Sequence, residues 1–435
     1  MNVVIFVVAI VLAIVIGQRL KTNIGVISLA MAFVVGGIFF ELSPSTVLAC
    51  FPSNIFFYML FGTFFYGFGM NNGTFQKVAQ NILHKSGKFS RFMPLVMYVT
   101  MAVVMALGAG STAGPAFLSP IFFGITTQMG ISPLIAAMAC FTPSCAFNLL
   151  PWTSDFAQKT AINIDTFGTE RAQMISITTM IYDIAFLLLF YLIFCIVTGA
   201  FKKRDISTFE APEPMNREQK FTLIVIVVLA VVLVVPMIVQ LVAPNPVTRW
   251  MSTYLDFRAL AAIGIVACHV LKIGKIDEVI KKNIPWGPIL TVCGAGTLVG
   301  LAAQIGVADT IGAWLGSSVP ASLVAPLFML VCGALSLVVS GAVVQPLMVA
   351  LIPGLAAATG CTPEVLAVCM LVGLQYAGFS PFSMGGTMAT IGCTDEKVRA
   401  KLVAPMVLIA IAFVLITAIL AWLGVIDLLV DLIIL

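Results

Sequence analysis

Long apolar segments without a charge limit what this chain can fold into. Residues 3–16, 221–242 and 402–423 are each close to the ~20 residues that a helix needs to cross a bilayer. These segments do not alternate apolar and polar residues, as the strands of a transmembrane β-barrel do. Hydrophobic residues make up 61% of the 435, and charged residues only 9%, against about 25% in soluble domains. The sequence therefore predicts an all-α polytopic membrane protein.

Twelve apolar stretches are expected to lie in the membrane, and glycine and proline break two of them. The two broken stretches, 93–128 and 321–358, are each long enough for two short helices with a bend between them. The twelve predicted stretches are 2–17, 23–40, 54–70, 93–128, 133–147, 172–200, 221–243, 256–272, 286–303, 321–358, 363–377 and 402–424.

The two halves of the chain match at a nearly constant offset. Shifting the sequence by 230 places Gly-Ile-Ser-Pro at 130–133 on Gly-Cys-Thr-Pro at 360–363, and it places Pro151 on Pro381. A constant offset across helix, turn and helix is typical of transporters built from two structural repeats. We therefore predict two repeats joined by a polar linker. The predicted units are the first repeat (1–200), a cytoplasmic linker (201–220) and the second repeat (221–435).

Each predicted repeat contains a re-entrant hairpin followed by a broken helix. The hairpins are 93–128 and 321–358, and the broken helices are 133–166 and 363–391. A hairpin that enters and leaves on one face adds no crossing, so each repeat crosses five times, and an odd number of crossings inverts the second copy. Two full spans in place of each hairpin would leave this parity unchanged. The re-entrant interpretation rests on the Gly-, Pro- and Ser-rich tips.

Lysine and arginine are distributed unevenly between the two predicted faces of the membrane. Only Lys159, Arg171, Arg249 and Arg258 fall on one face, and the other 18 of the 22 fall on the opposite face. Basic residues concentrate in cytoplasmic connections. We therefore expect both termini to be extracytoplasmic, in a multi-pass protein of the plasma membrane, which we expect to be a bacterial inner membrane.

Four polar interruptions, two in each half, mark where a binding site is expected. The hairpin tips lie at 108–115 and 339–346, and the helix breaks lie at 148–155 and 378–387. Within hydrocarbon, non-helical backbone is tolerated only where it is buried in protein or lines a cavity. Half-helix N-termini suit an anion, whereas loose carbonyls and hydroxyls suit a small cation. Small residues also allow close helix packing, but the symmetric placement favours a site for a carboxylate and sodium.

Two acidic residues are candidates for ion coupling. Asp155 adjoins the first break, where it could ligate a cation or cap the next half-helix. Asp183 lies within an apolar stretch, where it could relay protons or pair with a neighbouring group. No nucleophile, base and metal ligands cluster in the sequence, so we expect no enzymatic activity.

The chain resembles the ion transporter superfamily, and within it the divalent anion:sodium symporters and the related malonate and dicarboxylate carriers. The correspondence covers nearly the whole chain. It includes the two halves, the hairpin with a break after it, and Ile-Pro-Trp-Gly at 284–287 opening a Gly-rich span. The resemblance implies a homodimer in the lipid bilayer, with a scaffold domain and a mobile transport domain that carries substrate by an elevator motion.

The resemblance also implies positions for the ligands. Sodium would bind between each hairpin tip and the following break, and the substrate would lie between the tips. The tips read Gly-Ser-Thr at 110–112 and Ser-Gly-Ala at 340–342, where the symporters have Ser-Asn-Thr. The implied sodium ligands are Ser111, Thr112 and Asn148 at the first site, and Ser340, Gly341 and Ser380 at the second. The implied substrate contacts are Ser111, Thr112, Thr153, Ser383 and Thr387.

The predicted function is secondary active transport that imports a small di- or monocarboxylate, such as malonate or a C4-dicarboxylate, with sodium. No arginine is predicted at the site, so hydroxyls, helix termini and the bound cation would neutralise the carboxylates. A carboxylate exchanger and a proton-coupled transporter of the same fold are the alternatives. A channel is less favoured because two occluding hairpins resemble gates. We expect no nucleic-acid partner.

Overall fold

Helices account for all the regular structure in the part of the chain that the computed structural model describes. This confirms the all-α class. Residues 202–210 of the predicted linker and residues 338–340 of the second hairpin tip, which include Ser340, lie outside the described residues. The described residues are 2–87, 89–201, 211–243, 245–307, 310, 319–337 and 341–434.

In the first half, ten described α-helices follow one another with short connections. A single 3₁₀ turn, Ser90–Phe92, precedes the sixth. The helices are α1 (Asn2–Arg19), α2 (Ile24–Phe40), α3 (Pro44–Ala49), α4 (Ser53–Asn71), α5 (Thr74–Ser86), α6 (Met93–Ala106), α7 (Gly110–Met129), α8 (Pro133–Phe147), α9 (Ser154–Phe167) and α10 (Thr169–Val197).

The second half of the described chain continues the series with a similar succession of long and short helices. They are α11 (Arg217–Val242), α12 (Pro246–Tyr254), α13 (Phe257–Val270), α14 (Ile276–Lys282), α15 (Trp286–Gln304), α16 (Ala321–Ser336), α17 (Gly341–Val349), α18 (Ile352–Thr359), α19 (Pro363–Ala377), α20 (Met384–Thr390), α21 (Glu396–Trp422) and α22 (Val425–Ile433).

Helix α11 begins earlier than the sequence predicts. The predicted stretch starts at residue 221, whereas the helix starts at Arg217, inside the predicted linker. The cause is a capping box. The Asn216 side chain accepts a hydrogen bond from the Gln219 amide at 2.9 Å, and the Gln219 side chain accepts one from the Asn216 amide at 3.1 Å. These paired bonds satisfy free N–H groups and extend the helix into a polar segment.

The first hairpin consists of α6 and α7, which are joined by a short tip. Only residues 107–109 separate the two helices, so most of the predicted tip at 108–115 belongs to the first turns of α7. Gly108 has a φ of 88°. A Cβ there would approach the Tyr66 ring to 2.2 Å, so the turn requires glycine. In the second half, α16 and α17 flank the corresponding segment.

Helices α8 and α19 are the most buried elements of the described chain, and both end in an irregular segment. Nearly every residue of each helix is buried. The chain leaves helical geometry after Phe147 and resumes it at Ser154, and it does the same after Ala377 and at Met384. Each half therefore interrupts its helix with an irregular segment. The helix start at Ser154 is buried, whereas the helix start at Met384 is 44% exposed.

Three described helices are long and apolar enough to cross a bilayer on their own, and α14 with α15, bent by 64°, would be a fourth. Other apolar helices have 10–17 residues. Seventeen residues rise only ~26 Å, short of the ~30 Å hydrocarbon thickness. The apolar helices indicate a membrane protein, and the twelve-stretch arrangement stays a prediction. The three helices are Thr169–Val197, Arg217–Gln240 and Glu396–Trp422.

The hairpin of each half packs against the broken helix of the other half. On α7, the Ser119 hydroxyl donates to the Ala389 carbonyl of α20 at 2.9 Å and accepts from the Gly392 amide at 3.1 Å. On α17, the Gln345 side chain donates to the Lys159 carbonyl of α9 at 3.4 Å. These contacts bring hairpin and break residues from both halves into one region.

Candidate binding site

A cavity of about 310 Å³ lies where the hairpins and the helix breaks meet. Ser111 and Gly341 line it from the two hairpins, and Asn148 and Ser383 line it from the two breaks. Pockets for small molecules typically measure about 300–1,000 Å³. The cavity therefore has the size for a small solute.

The two breaks are closed by the same pair of hydrogen bonds. In the first break, the Thr153 hydroxyl donates to the Asn148 carbonyl and accepts from the Phe156 amide at 3.3 Å. In the second, the Ser383 hydroxyl donates to the carbonyl five residues before it and accepts from the amide three residues after it, at 3.5 Å. These hydroxyls cap α9 and α20 and satisfy backbone groups that the breaks would leave unpaired.

Asp155 connects the first hairpin to the first break. Its Oδ2 accepts hydrogen bonds from the Ser111 amide at 3.2 Å and from the Asn148 Nδ2 at 3.1 Å. Ser111 is the second residue of α7, so the carboxylate lies at a helix N-terminus, where free N–H groups favour a negative charge. Asp155 also lies in the first turn of α9 and lines the cavity.

Asn148 carries a buried oxygen that lacks a partner. The residue is 5% exposed and lines the cavity, and its Nδ2 is committed to Asp155. Its Oδ1 has no hydrogen-bond partner in the described part of the chain. A buried acceptor without a partner costs about 1–3 kcal/mol. A cation at this wall would remove that cost, so the donor set fits a small cation such as sodium.

The helix around Ser111 lacks one of its regular backbone hydrogen bonds. Pro115 lies inside α7, and proline has no N–H to donate to the carbonyl four residues earlier. That carbonyl belongs to Ser111, which lines the cavity beside Thr112. Residues with hydroxyls, a carbonyl without its regular helical partner and a carboxylate thus line the same cavity.

Two predicted residues of the second half, Ser380 and Thr387, do not line the cavity. Ser380 is buried, and its hydroxyl accepts from the Phe382 amide at 3.3 Å. The Thr387 hydroxyl donates to the carbonyls of Pro381 at 3.1 Å and Ser383 at 2.8 Å. Both hydroxyls are therefore engaged within the break. The predicted residues that line the cavity are Ser111, Thr112, Asn148, Asp155, Gly341 and Ser383, whereas Thr153, Ser380, Thr387 and Asp183 do not line it.

Lys159 is a cationic residue of the cavity wall that the sequence analysis assigned to a connection instead. It lies on α9, four residues after Asp155, and its Nζ donates to the Gln375 Oε1 of α19. Lys159 therefore adds a cationic side chain to a wall where the sequence analysis expected only hydroxyls, helix termini and a bound cation. The spacing of four residues, which places two side chains on one helix face, was the signal that could have identified it.

Asp183 lies behind Gln375, fully buried on α10. Its Oδ2 accepts from the Gln375 Nε2 at 2.5 Å, and the same Nε2 donates to the Cys145 carbonyl at 3.0 Å. Asp183 is therefore linked to the cavity through Gln375, and through Gln375 it is connected to Lys159. This arrangement fits a partner-pairing group.

The fold is similar to that of a solved structure of a transporter. The crystal structure of the YdaH transporter of Alcanivorax borkumensis is similar over 88% of this chain and 87% of that chain, with a TM-score of 0.58 and 16% identity. At this identity the similarity is one of fold.

The sequence itself matches a family model over its first third. Residues 1–146 match the family described as dicarboxylate carrier protein MatC N-terminus. No curated protein matches the chain. The resemblance to dicarboxylate carriers that the sequence indicates is therefore confirmed. The match ends two residues before Asn148, so Asp155 and Lys159 lie beyond it.

Proposed function

We propose that the protein is a secondary active transporter that carries a small di- or monocarboxylate, of the malonate or C4-dicarboxylate type, together with sodium. The observation that carries the proposal is the cavity at the meeting point of the hairpins and breaks, with Asp155 and the unpaired Asn148 oxygen on its wall. The MatC match and the transporter fold support it.

The first sodium ion is proposed to bind between the tip of α7 and the first break. Oxygen ligands suit hard cations, and this wall offers the Asn148 Oδ1 with the hydroxyls of Ser111 and Thr112. The negative charge of Asp155 favours a cation there. A second sodium is proposed at the equivalent place in the second half, near Ser340, Gly341 and Ser380.

The substrate is proposed to occupy the cavity between the two hairpins. Ser111, Thr112 and Ser383 line it with hydroxyls that can donate to a carboxylate. Thr153 and Thr387 were predicted as contacts from the resemblance, and their hydroxyls are engaged with backbone carbonyls. Their proposed role is to hold the shape of the two breaks beside the substrate.

Transport is proposed to follow an elevator mechanism in a homodimer of the plasma membrane. The two halves, 1–200 and 221–435, are proposed to be inverted repeats of five spans each, with both termini extracytoplasmic. The equal hydrogen bonding of the two breaks supports a duplicated unit. In this arrangement the hairpins and broken helices would move together with the bound substrate and sodium.

The thermal stability of the purified protein tests this function. The melting temperature would be measured in choline buffer, then with sodium, then with malonate, succinate, malate, citrate, oxalate or sulfate. A ligand at a hundredfold excess over its Kd stabilises by about 2.7 kcal/mol. We expect one carboxylate to raise the melting temperature only when sodium is present. An equal effect in choline would contradict sodium coupling, and no effect of any carboxylate would contradict the substrate class.

A further inference from the structure

We infer that Lys159 binds a carboxylate of the substrate and that Gln375, fixed by Asp183, holds the ammonium at the cavity wall. The inference rests on the proposed function and names the group that recognises the anion. Lys159 is the one Lys, Arg or His side chain among the described residues that line the cavity. Hydroxyls alone would leave a carboxylate without a fixed positive charge.

The position of Lys159 leaves part of its ammonium for a ligand. The residue is half-buried in the second turn of α9. An ammonium has three N–H donors, and Gln375 accepts from one of them. The other N–H groups of the ammonium remain available to a ligand, and Lys159 lines a cavity that is sized for a small solute. Hydrogen bonds between an ammonium and a carboxylate are stronger than those between neutral groups.

The orientation of the Gln375 amide is fixed by its neighbours. Its Nε2 donates both to Asp183 and to the Cys145 carbonyl, and a carbonyl has no proton to give. The amide oxygen must therefore point the other way, where it accepts from Lys159. Because Asp183 is fully buried, it cannot turn towards solvent, and it holds Gln375 in this orientation. Gln375 and Asp183 are thus positioning residues.

Two opposite charges are held apart along one face of α9. Asp155 and Lys159 both line the cavity and are four residues apart, a spacing at which they could pair with each other. Instead, Asp155 is held by the Ser111 amide and Asn148, while Lys159 is held by Gln375. The negative charge favours a cation and the positive charge favours an anion. The face is therefore suited to bind sodium and a carboxylate next to each other.

The alternative role for Lys159 is structural, as the counter-charge for Asp183. A double variant separates the two roles. Lys159→Gln removes the ammonium and leaves Asp183 as a buried charge, whereas Lys159→Gln with Asp183→Asn removes both charges and restores neutrality. If Lys159 has only a structural role, the double variant should recover both stability and carboxylate binding. If Lys159 binds the carboxylate, the double variant should recover stability but not binding.

The experiment is titration calorimetry with malonate and with succinate in sodium buffer, on native protein, Lys159→Gln and the double variant. We expect both variants to bind the carboxylate at least about tenfold more weakly than native protein, the size of one lost charged hydrogen bond. Stabilisation by sodium alone, measured on the same samples, shows that the variants are folded around the proposed sodium site. Lys397→Gln, an exposed lysine at the start of α21, is the matched control and should bind as native protein does.

The outcomes for this inference and for the proposed function differ. Native protein that binds a carboxylate, with a double variant that is stable and binds equally well, would overturn the role of Lys159 and leave the proposed function intact. Native protein that binds neither malonate nor succinate, and that no carboxylate stabilises in sodium, would overturn both. Native binding that is lost in the stable double variant and retained in Lys397→Gln supports the inference.

Discussion

The two helix breaks share their hydrogen bonds but not their charges. Thr153 and Ser383 cap the helices after the breaks through equivalent bonds. At the offset of 230, however, Asp155 corresponds to Gly385, and Lys159 corresponds to Ala389. The backbone shape is therefore common to both halves, whereas the ionic chemistry at the cavity belongs to the first half.

Under the proposed function, this difference gives the two halves different roles in ligand binding. The first half supplies the carboxylate and the ammonium on α9, and the second half supplies Gln375, which holds that ammonium. Gly385 has no room for a side chain, because a Cβ there would lie 2.8 Å from the Gly378 carbonyl. The second break therefore allows close backbone packing, whereas the first break carries the charged side chains of the cavity.

Replacing Asp155 should produce the largest change at the first break. Asp155→Asn removes the negative charge that we place beside sodium, so the sodium concentration needed for half-maximal stabilisation should rise about tenfold or more. The measurement is a sodium titration of the melting temperature. Asp165→Asn, an exposed residue of the same helix, is the control. An unchanged sodium midpoint in Asp155→Asn would contradict the role of Asp155 in sodium binding, and with it the proposed functional difference between the two breaks.

Removing the unpaired oxygen at the first break should have a smaller effect of the same kind. Asn148→Ala deletes one neutral ligand, so the sodium midpoint should rise about fivefold, the size of a neutral hydrogen bond of about 1 kcal/mol. The same titration measures it. Asn163 also carries a buried unpaired Oδ1 on α9 but does not line the cavity. Asn163→Ala should leave the midpoint unchanged, and a shift of equal size in both variants would contradict the site.

The shared hydrogen bonds of the two breaks can be compared directly through their caps. Thr153→Ala and Ser383→Ala each remove an N-cap hydroxyl, and each should lower the free energy of unfolding by about 1 kcal/mol. Thermal unfolding in the absence of substrate measures both. Similar losses would strengthen the equivalence of the breaks. A loss confined to one variant would show that the two caps contribute differently, contrary to the equal geometry.

Replacing Asp183 should have the smallest effect on the sodium dependence of transport. Asp183→Asn keeps an acceptor for Gln375 and removes a buried charge that does not line the cavity. Uptake into proteoliposomes should remain driven by a sodium gradient in this variant. Native uptake that follows a proton gradient and is lost in Asp183→Asn would instead favour the proton-coupled alternative.

Local signals in the sequence identified the helices and the irregular segments. Proline and glycine at 148–155 and 378–387 act on the backbone within a few residues, so the ends of α8 and α19 could be located without a structure. The first hairpin tip was predicted too long because the Gly-, Pro- and Ser-rich segment 108–115 was counted as tip up to Pro115. Since α7 starts at Gly110, that proline lies inside the helix, where it cannot donate the regular helical hydrogen bond to the Ser111 carbonyl.

Contacts between distant residues could not be found from the sequence. Lys159 and Gln375 are 216 residues apart, and Gln375 and Asp183 are 192 apart. Charge counting assigned Lys159 to a connection, because that method treats every lysine between spans as a topology marker. Only the packing of α9 against α17 and α19 brings its ammonium to the cavity wall. The ionic pattern of the site is thus a property of the tertiary structure.

Uptake of labelled malonate and succinate into proteoliposomes tests sodium-coupled carboxylate transport most directly. The purified protein would be reconstituted with an inward sodium gradient, with an equal choline gradient, or with no gradient. The proposed function requires saturable accumulation of a carboxylate under the sodium gradient and none above the protein-free vesicles under choline. Accumulation at the same rate in choline, or none of either carboxylate under sodium, would contradict it.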